Sequence, residues 1–256
     1  MRALLIFSLF ASLLLLNSAC HSSDLRDEMV RFDRTYVPVL YYVHLGDVDR
    51  AERAALVMDS YWKKLRKNYD QQNRELDWGG RWALVDGWIA GSKQALEEKD
   101  LFLAYNQLDH IRYELMVLRS QQAIPYYLDY LWDFEASMDM AVETALDPML
   151  CLMEYKEFQA LTQDLKTAWQ EVVDFPLDHR IYLLDAQVRM ELAYSRKEMT
   201  GLINTFVDAV EEGDHLEAAC LARELPPAYL DVLAPHGDME ASMVHYARIF
   251  PLSENN

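Results

Sequence analysis

The sequence predicts an all-α fold: a tandem, duplicated pair of up-down four-helix bundles behind an N-terminal export segment. Three observations carry this. Apolar residues recur at alternating steps of three and four along most of the chain, the signature of helices buried along one stripe. With only 8 Gly and 8 Pro among 256 residues, the chain is not loop-rich. Finally, the pattern of the first half returns in the second.

Met29, Phe32, Tyr36, Val39 and Val43 form the first stripe, with Pro38 inside it as an expected kink. Gly46-Asp47 ends that stripe, and Asp47 is placed to cap the next helix by accepting from its free N–H groups. Val48, Ala51, Ala55, Met58, Trp62 and Leu65 form the second stripe. Gly79-Gly80 gives a flexible lead-in to a weaker third, Val85, Trp88, Ser92 and Ala95. After the break at Glu98-Lys99-Asp100 comes a fourth: Leu101, Ala104, Leu108, Ile111, Leu115 and Leu118.

The second half supplies its own stripes, Phe158, Leu161, Leu165, Ala168 and Val172, then Leu202, Phe206 and Ala209. Trp62 is matched by Trp169, and Ala95–Asp100 by Ala209–Asp214. Tyr127-Leu128-Asp129 with Glu135–Met138 is matched by Tyr229-Leu230-Asp231 with Glu240–Met243. The offsets run from 102 to 114 residues, the size of a small domain rather than of a solenoid repeat. Four helices per copy with short connections imply antiparallel neighbours. The expected organisation is residues 1–19 as a signal peptide, 20–120 and 121–235 as two four-helix units, and 236–256 as a C-terminal partial helix and tail.

The chain opens with one basic residue, Arg2, followed by 13 uncharged residues from Leu4 to Leu16, and then Asn17-Ser18-Ala19-Cys20. This is the layout of a secretory signal, and its apolar run is short of the roughly 20 residues a spanning helix needs. Ser18-Ala19-Cys20 resembles the processing site of bacterial lipoproteins, departing from it at Asn17, where that family prefers an aliphatic residue. The resemblance implies cleavage before Cys20 and lipid acylation of that cysteine. With His21 rather than Asp next, it also implies the periplasmic face of the outer membrane.

Ile203–Asp214, followed by Ala218, Ala219, Ala222 and Leu225, resembles the last two helices of cytochrome b562 and cytochrome c′-type bundles. That resemblance implies haem, but the chain departs from it. No Cys-x-x-Cys-His motif is present, and where Met138 or Met140 can serve as one ligand, the late fourth helix offers Leu225, Tyr229 and Leu230. No cofactor is expected.

Other chemistry is sparse. Met239, Met243, His236 and His245 form a candidate soft-metal set, because thioether and imidazole suit Cu(I), although Met also fills helical cores. Met149, Cys151 and Met153 also lie close together. Glu212–His215 has the spacing of a di-metal Glu-x-x-His pair but sits at a Gly-containing connection, which suits a capping turn better. His110 and Glu114 read as an i, i+4 pair on exposed helix surface. Cys151 and Cys220 can form a disulfide or stand as two buried thiols. Trp78, Trp82 and Trp88, and again Tyr126, Tyr127, Tyr130 and Trp132, can line a cleft, form a partner surface, or pack the two bundles together.

No nucleophile elbow, phosphate loop or zincin motif occurs, so catalysis is disfavoured. Net charge is −18, and loss of Arg2 with the signal leaves −19, which repels nucleic acid and anionic headgroups. The expected function is that of a lipid-anchored, non-catalytic binding or structural component of the cell envelope, with an envelope protein as possible partner. The alternative is a periplasmic metal- or haem-binding bundle.

Overall fold

A computed structural model describes residues 25–69, 78–147, 155–240 and 242–244. Among these the regular structure is helical throughout: α1 (25–44), α2 (Val48–Tyr69), α3 (Trp78–Glu97), α4 (Leu101–Gln121), α5 (Tyr127–Leu146), α6 (Tyr155–Asp174), α7 (Ala186–Glu212), α8 (His215–Ala222) and α9 (Leu225–Leu233). None of them is long and apolar enough to cross a membrane. The chain divides into two compact units, one containing α1–α4 together with Met239, Glu240 and residues 242–244, the other spanning Tyr126–Asp238.

The first unit is a closed ring of four helices. Every member of the first stripe is buried, and α1 reaches both neighbours: the Phe32 ring lies 5.5 Å from Trp62 of α2, and the Tyr36 hydroxyl donates to the Leu108 carbonyl of α4 at 3.0 Å. Trp62 packs on Trp82 of α3 at 4.9 Å, so α3 buries Trp82, Val85, Ile89, Ser92 and Leu96. Trp88, expected in that stripe, lies at its margin instead and stacks on His110 of α4. Gly79 and Gly80 lie within the first turn of α3 rather than ahead of it.

Three of the corners between successive helices share one design. At Gly46, Lys99 and Gly213 the backbone turns left-handed, with φ of 73°, 61° and 81°. Each next residue is an aspartate whose N–H returns to a carbonyl of the preceding helix: Asp47 to Tyr42, Asp100 to Ala95, and Asp214 to Ala209, all at 2.9 Å. The same aspartate then caps the next helix, its carboxylate accepting from the N–H of Arg50, Leu103 or Glu217. The left-handed residue satisfies orphan carbonyls and the aspartate satisfies orphan N–H groups, so two residues close the turn. Glu212–His215 is thereby a capping turn, as its Gly-containing sequence implies.

In the second unit, Phe134 of α5 packs on Trp169 of α6 at 4.9 Å, and Arg196 of α7 donates to the Val172 and Val173 carbonyls at the end of α6. The fourth position is broken into α8 and α9, because Pro226 and Pro227 cannot donate to a continuous helix and start a new one instead.

The internal repeat aligns positions of the two units in sequence. Phe32, Trp62, Lys99 and Asp100 correspond to Phe134, Trp169, Gly213 and Asp214. The Trp62 indole N–H donates to Asp86 of α3 at 2.7 Å, and the Trp169 indole N–H donates to Thr200 of α7 at 2.9 Å. The Tyr127 and Tyr229 segments do not correspond, however. The first begins α5 and the second lies in α9, the opening and closing helices of one unit. Short strings such as Tyr-Leu-Asp and Glu-Ala-Ser-Met recur without marking equivalent positions.

Candidate charged groove and aromatic centre

A concavity lies in the first unit, between α2 and α3, with a volume of about 560 Å³. That falls within the range of small-molecule sites. Trp62, Ile89 and Ala90 contribute its apolar wall. The polar lining comes from one face of each helix: Asp59, Lys63, Arg66 and Lys67 of α2, and Asp86 and Lys93 of α3. Steps of three and four bring each set onto one side of its helix.

Asp59 is the hub. One of its oxygens, Oδ2, accepts from Lys63 at 3.0 Å and from Lys93 at 2.6 Å, so the two ammonium groups lie within 5.6 Å of each other. Burial pushes the Asp59 carboxyl up, but hydrogen bonds and charge from Lys93 and Lys63 outweigh it and hold the pKa below 3.8. Asp86 accepts from the Trp62 indole and pairs with the Arg66 guanidinium. Among the described lining residues four cations therefore face two carboxylates, a surplus of two positive charges on a chain of net charge −18.

A second cluster lies inside the second unit. Tyr127 is fully buried, with the rings of Phe175, Tyr182 and His236 at 5.8, 6.0 and 4.9 Å and the Arg196 guanidinium 5.8 Å from its ring centre. Its backbone N–H donates to the Tyr182 hydroxyl at 2.7 Å, which satisfies an orphan donor at the start of α5. Its own hydroxyl meets no hydrogen-bond partner among the described residues. Burial drives its pKa up to about 12, against a smaller opposing pull from Arg196.

This geometry corrects several expectations. Tyr126, Tyr127 and Tyr130 find ring partners within their own unit, namely Tyr182 and Phe175. Glu114 is 8 % exposed and accepts from Arg81 of α3 at 2.6 Å, so its partner is across the helix pair and not His110. Cys220 is a free, exposed thiol rather than a buried one, while Cys151, Met149 and Met153 lie outside the described residues.

Of the soft-metal set, His236 follows α9 in the core of the second unit, Met239 and Met243 belong with the first unit, and His245 lies outside the described residues. No group of three or more His, Cys, Asp or Glu among the described residues is placed to hold a metal ion. Haem fits poorly on the donors present. His236 faces Tyr127 and Tyr182, whereas Met138 lies eleven residues further along α5, about 16 Å away at the helical rise.

The groove carries the least sequence signal of any feature. Its charges read as solvated helix surface until α2 and α3 are paired. Comparison of the chain with family models, with curated proteins and with solved structures gives no match.

Proposed function

We propose that this chain is an exported, lipid-anchored helical-bundle lipoprotein, a non-catalytic binding or structural component of the cell envelope. Its place would be the periplasmic face of the outer membrane. The observation that carries this is Ser18-Ala19-Cys20 behind Arg2 and the uncharged run Leu4–Leu16. A single anchored thioether-linked lipid would tether the body while its acidity holds it off anionic headgroups.

The helical body supports binding rather than chemistry. Its charged groups engage one another across helix pairs, as in Arg81 with Glu114 and Lys93 with Asp59. Its aromatic groups are largely committed to packing.

Intact-mass analysis of chain extracted from bacterial membranes tests the reading. The expected species begins at Cys20 and carries added acyl mass, and Cys20→Ser releases the chain from the membrane fraction. A mature chain of unmodified mass, or a Cys20→Ser chain that fractionates unchanged, refutes it.

A further inference from the structure

The duplication supplies an internal comparison for the groove between α2 and α3. In the register set by Trp62 with Trp169, Lys63 corresponds to Gln170, Arg66 to Val173 and Lys67 to Asp174. In the register set by Asp100 with Asp214, Asp86 corresponds to Thr200 and Lys93 to Val207. The apolar positions match as well, Val85 with Met199 and Ile89 with Ile203, all buried. The tryptophan-to-helix hydrogen bond survives in both units, with a carboxylate acceptor in one and a hydroxyl in the other. The fold therefore needs the tryptophan bond but not the cluster of cations, which the second unit lacks.

We propose that this groove binds a small dianionic oxyanion, carried as a phosphoryl group or as a dicarboxylate. Lys63 and Lys93 share one Asp59 oxygen, so one carboxylate charge serves two ammonium groups. Among the described lining residues, Arg66 and Lys67 stand against Asp86. A dianion neutralises the surplus of two, and its oxygens accept charge-assisted hydrogen bonds from more than one of these donors at once. The long-range field of the acidic chain does not prevent this. At physiological salt, charges beyond about 8 Å are largely screened, so a small ion responds to the groove, whereas a polyanion meets the whole repelling surface. The proposal rests on the binding role above but not on the lipid.

The test is calorimetric titration of the full-length chain, in a nonionic detergent and low salt, with inorganic phosphate, phenyl phosphate and succinate in separate runs. Sodium chloride at matched ionic strength is the control. Saturable binding of at least one dianion is expected, and which one binds identifies the group recognised. Lys93→Gln should weaken it about tenfold, the effect of losing one charge-assisted contact, and Lys93→Arg should restore most of it. Lys166→Gln, at the position in the second unit that corresponds to Asp59, should leave it unchanged.

No saturable heat with any of the three dianions overturns the proposal. Heats reproduced by chloride, or equal losses in Lys93→Gln and Lys166→Gln, overturn it too. Because intact mass is read separately, an unlipidated chain that still binds phosphate would refute the anchor and leave the groove.

Discussion

Replacing Tyr127 by Phe separates two costs that burial imposes on one hydroxyl. At pH 7 both the folded and the unfolded side chain are protonated, so the substitution only removes an oxygen that lacks a hydrogen-bond partner among the described residues. Relief of an unsatisfied group is worth about 1–3 kcal/mol, offset by the small hole left behind, so the variant should lie within roughly 1 kcal/mol of wild type or above it. At alkaline pH the two chains diverge. The unfolded tyrosine ionises from pH 10, while the folded one stays protonated up to about 12. Between those values the unfolded state binds fewer protons, so stability falls as pH rises.

One pKa unit corresponds to about 1.4 kcal/mol, so Tyr127 accounts for a loss of about 1.4 kcal/mol at pH 11 and about 2.3 kcal/mol by pH 12, where the folded hydroxyl is itself half ionised. Urea unfolding of both chains at pH 7 and pH 11 measures it. Other lysines and tyrosines titrate alike in the two proteins and cancel in the difference. Tyr127→Phe should gain about 1.4 kcal/mol on wild type between the two pH values. An unchanged difference would falsify the account of a buried, neutral hydroxyl.

Further predictions follow from the corners and the groove. Gly213→Ala should cost about 1 kcal/mol, because its φ of 81° disfavours any side chain, whereas Lys99→Gly at the equivalent corner should gain a similar amount; thermal unfolding reads both. Asp59 contributes stability above pH 3.8 that is lost as pH falls through its lower folded pKa, so Asp59→Asn should flatten the acid limb of a urea midpoint against pH curve. At neutral pH that variant should cost about 1 kcal/mol or less. Asp86→Ala and Thr200→Ala each strand a tryptophan N–H and should each cost about 1–3 kcal/mol in chemical denaturation.

Much of the fold is legible in the sequence because helix burial leaves a periodic trace. Phe32, Tyr36, Leu108 and Ile111 announce their inward faces without any neighbour, and Asp47 and Asp100 announce their caps. What remains hidden depends on which helix lies alongside. Glu114 looks like an exposed partner for His110 until α3 brings Arg81 against it. Lys99 gives no hint of a left-handed turn, since only its register with Gly213 reveals the shared corner. The groove is hidden for the same reason: Asp59 and Lys93 are 34 positions apart and meet only through helix pairing. Short identical strings mislead in the opposite sense, as the false match of Tyr127 with Tyr229 shows.

The two-residue corners bear on how the chain folds as well as on how it stands. Each joins consecutive helices with no slack, so α1 with α2, and α3 with α4, meet through contacts close in sequence. Closing so short a connection sacrifices little chain entropy, and topologies rich in local contacts reach the native state fastest. The first unit should therefore assemble from two helical hairpins that form early and then dock through Trp62. Substitutions at Gly46 or Asp100 would slow refolding, while substitutions in the Trp62 contact would chiefly speed unfolding.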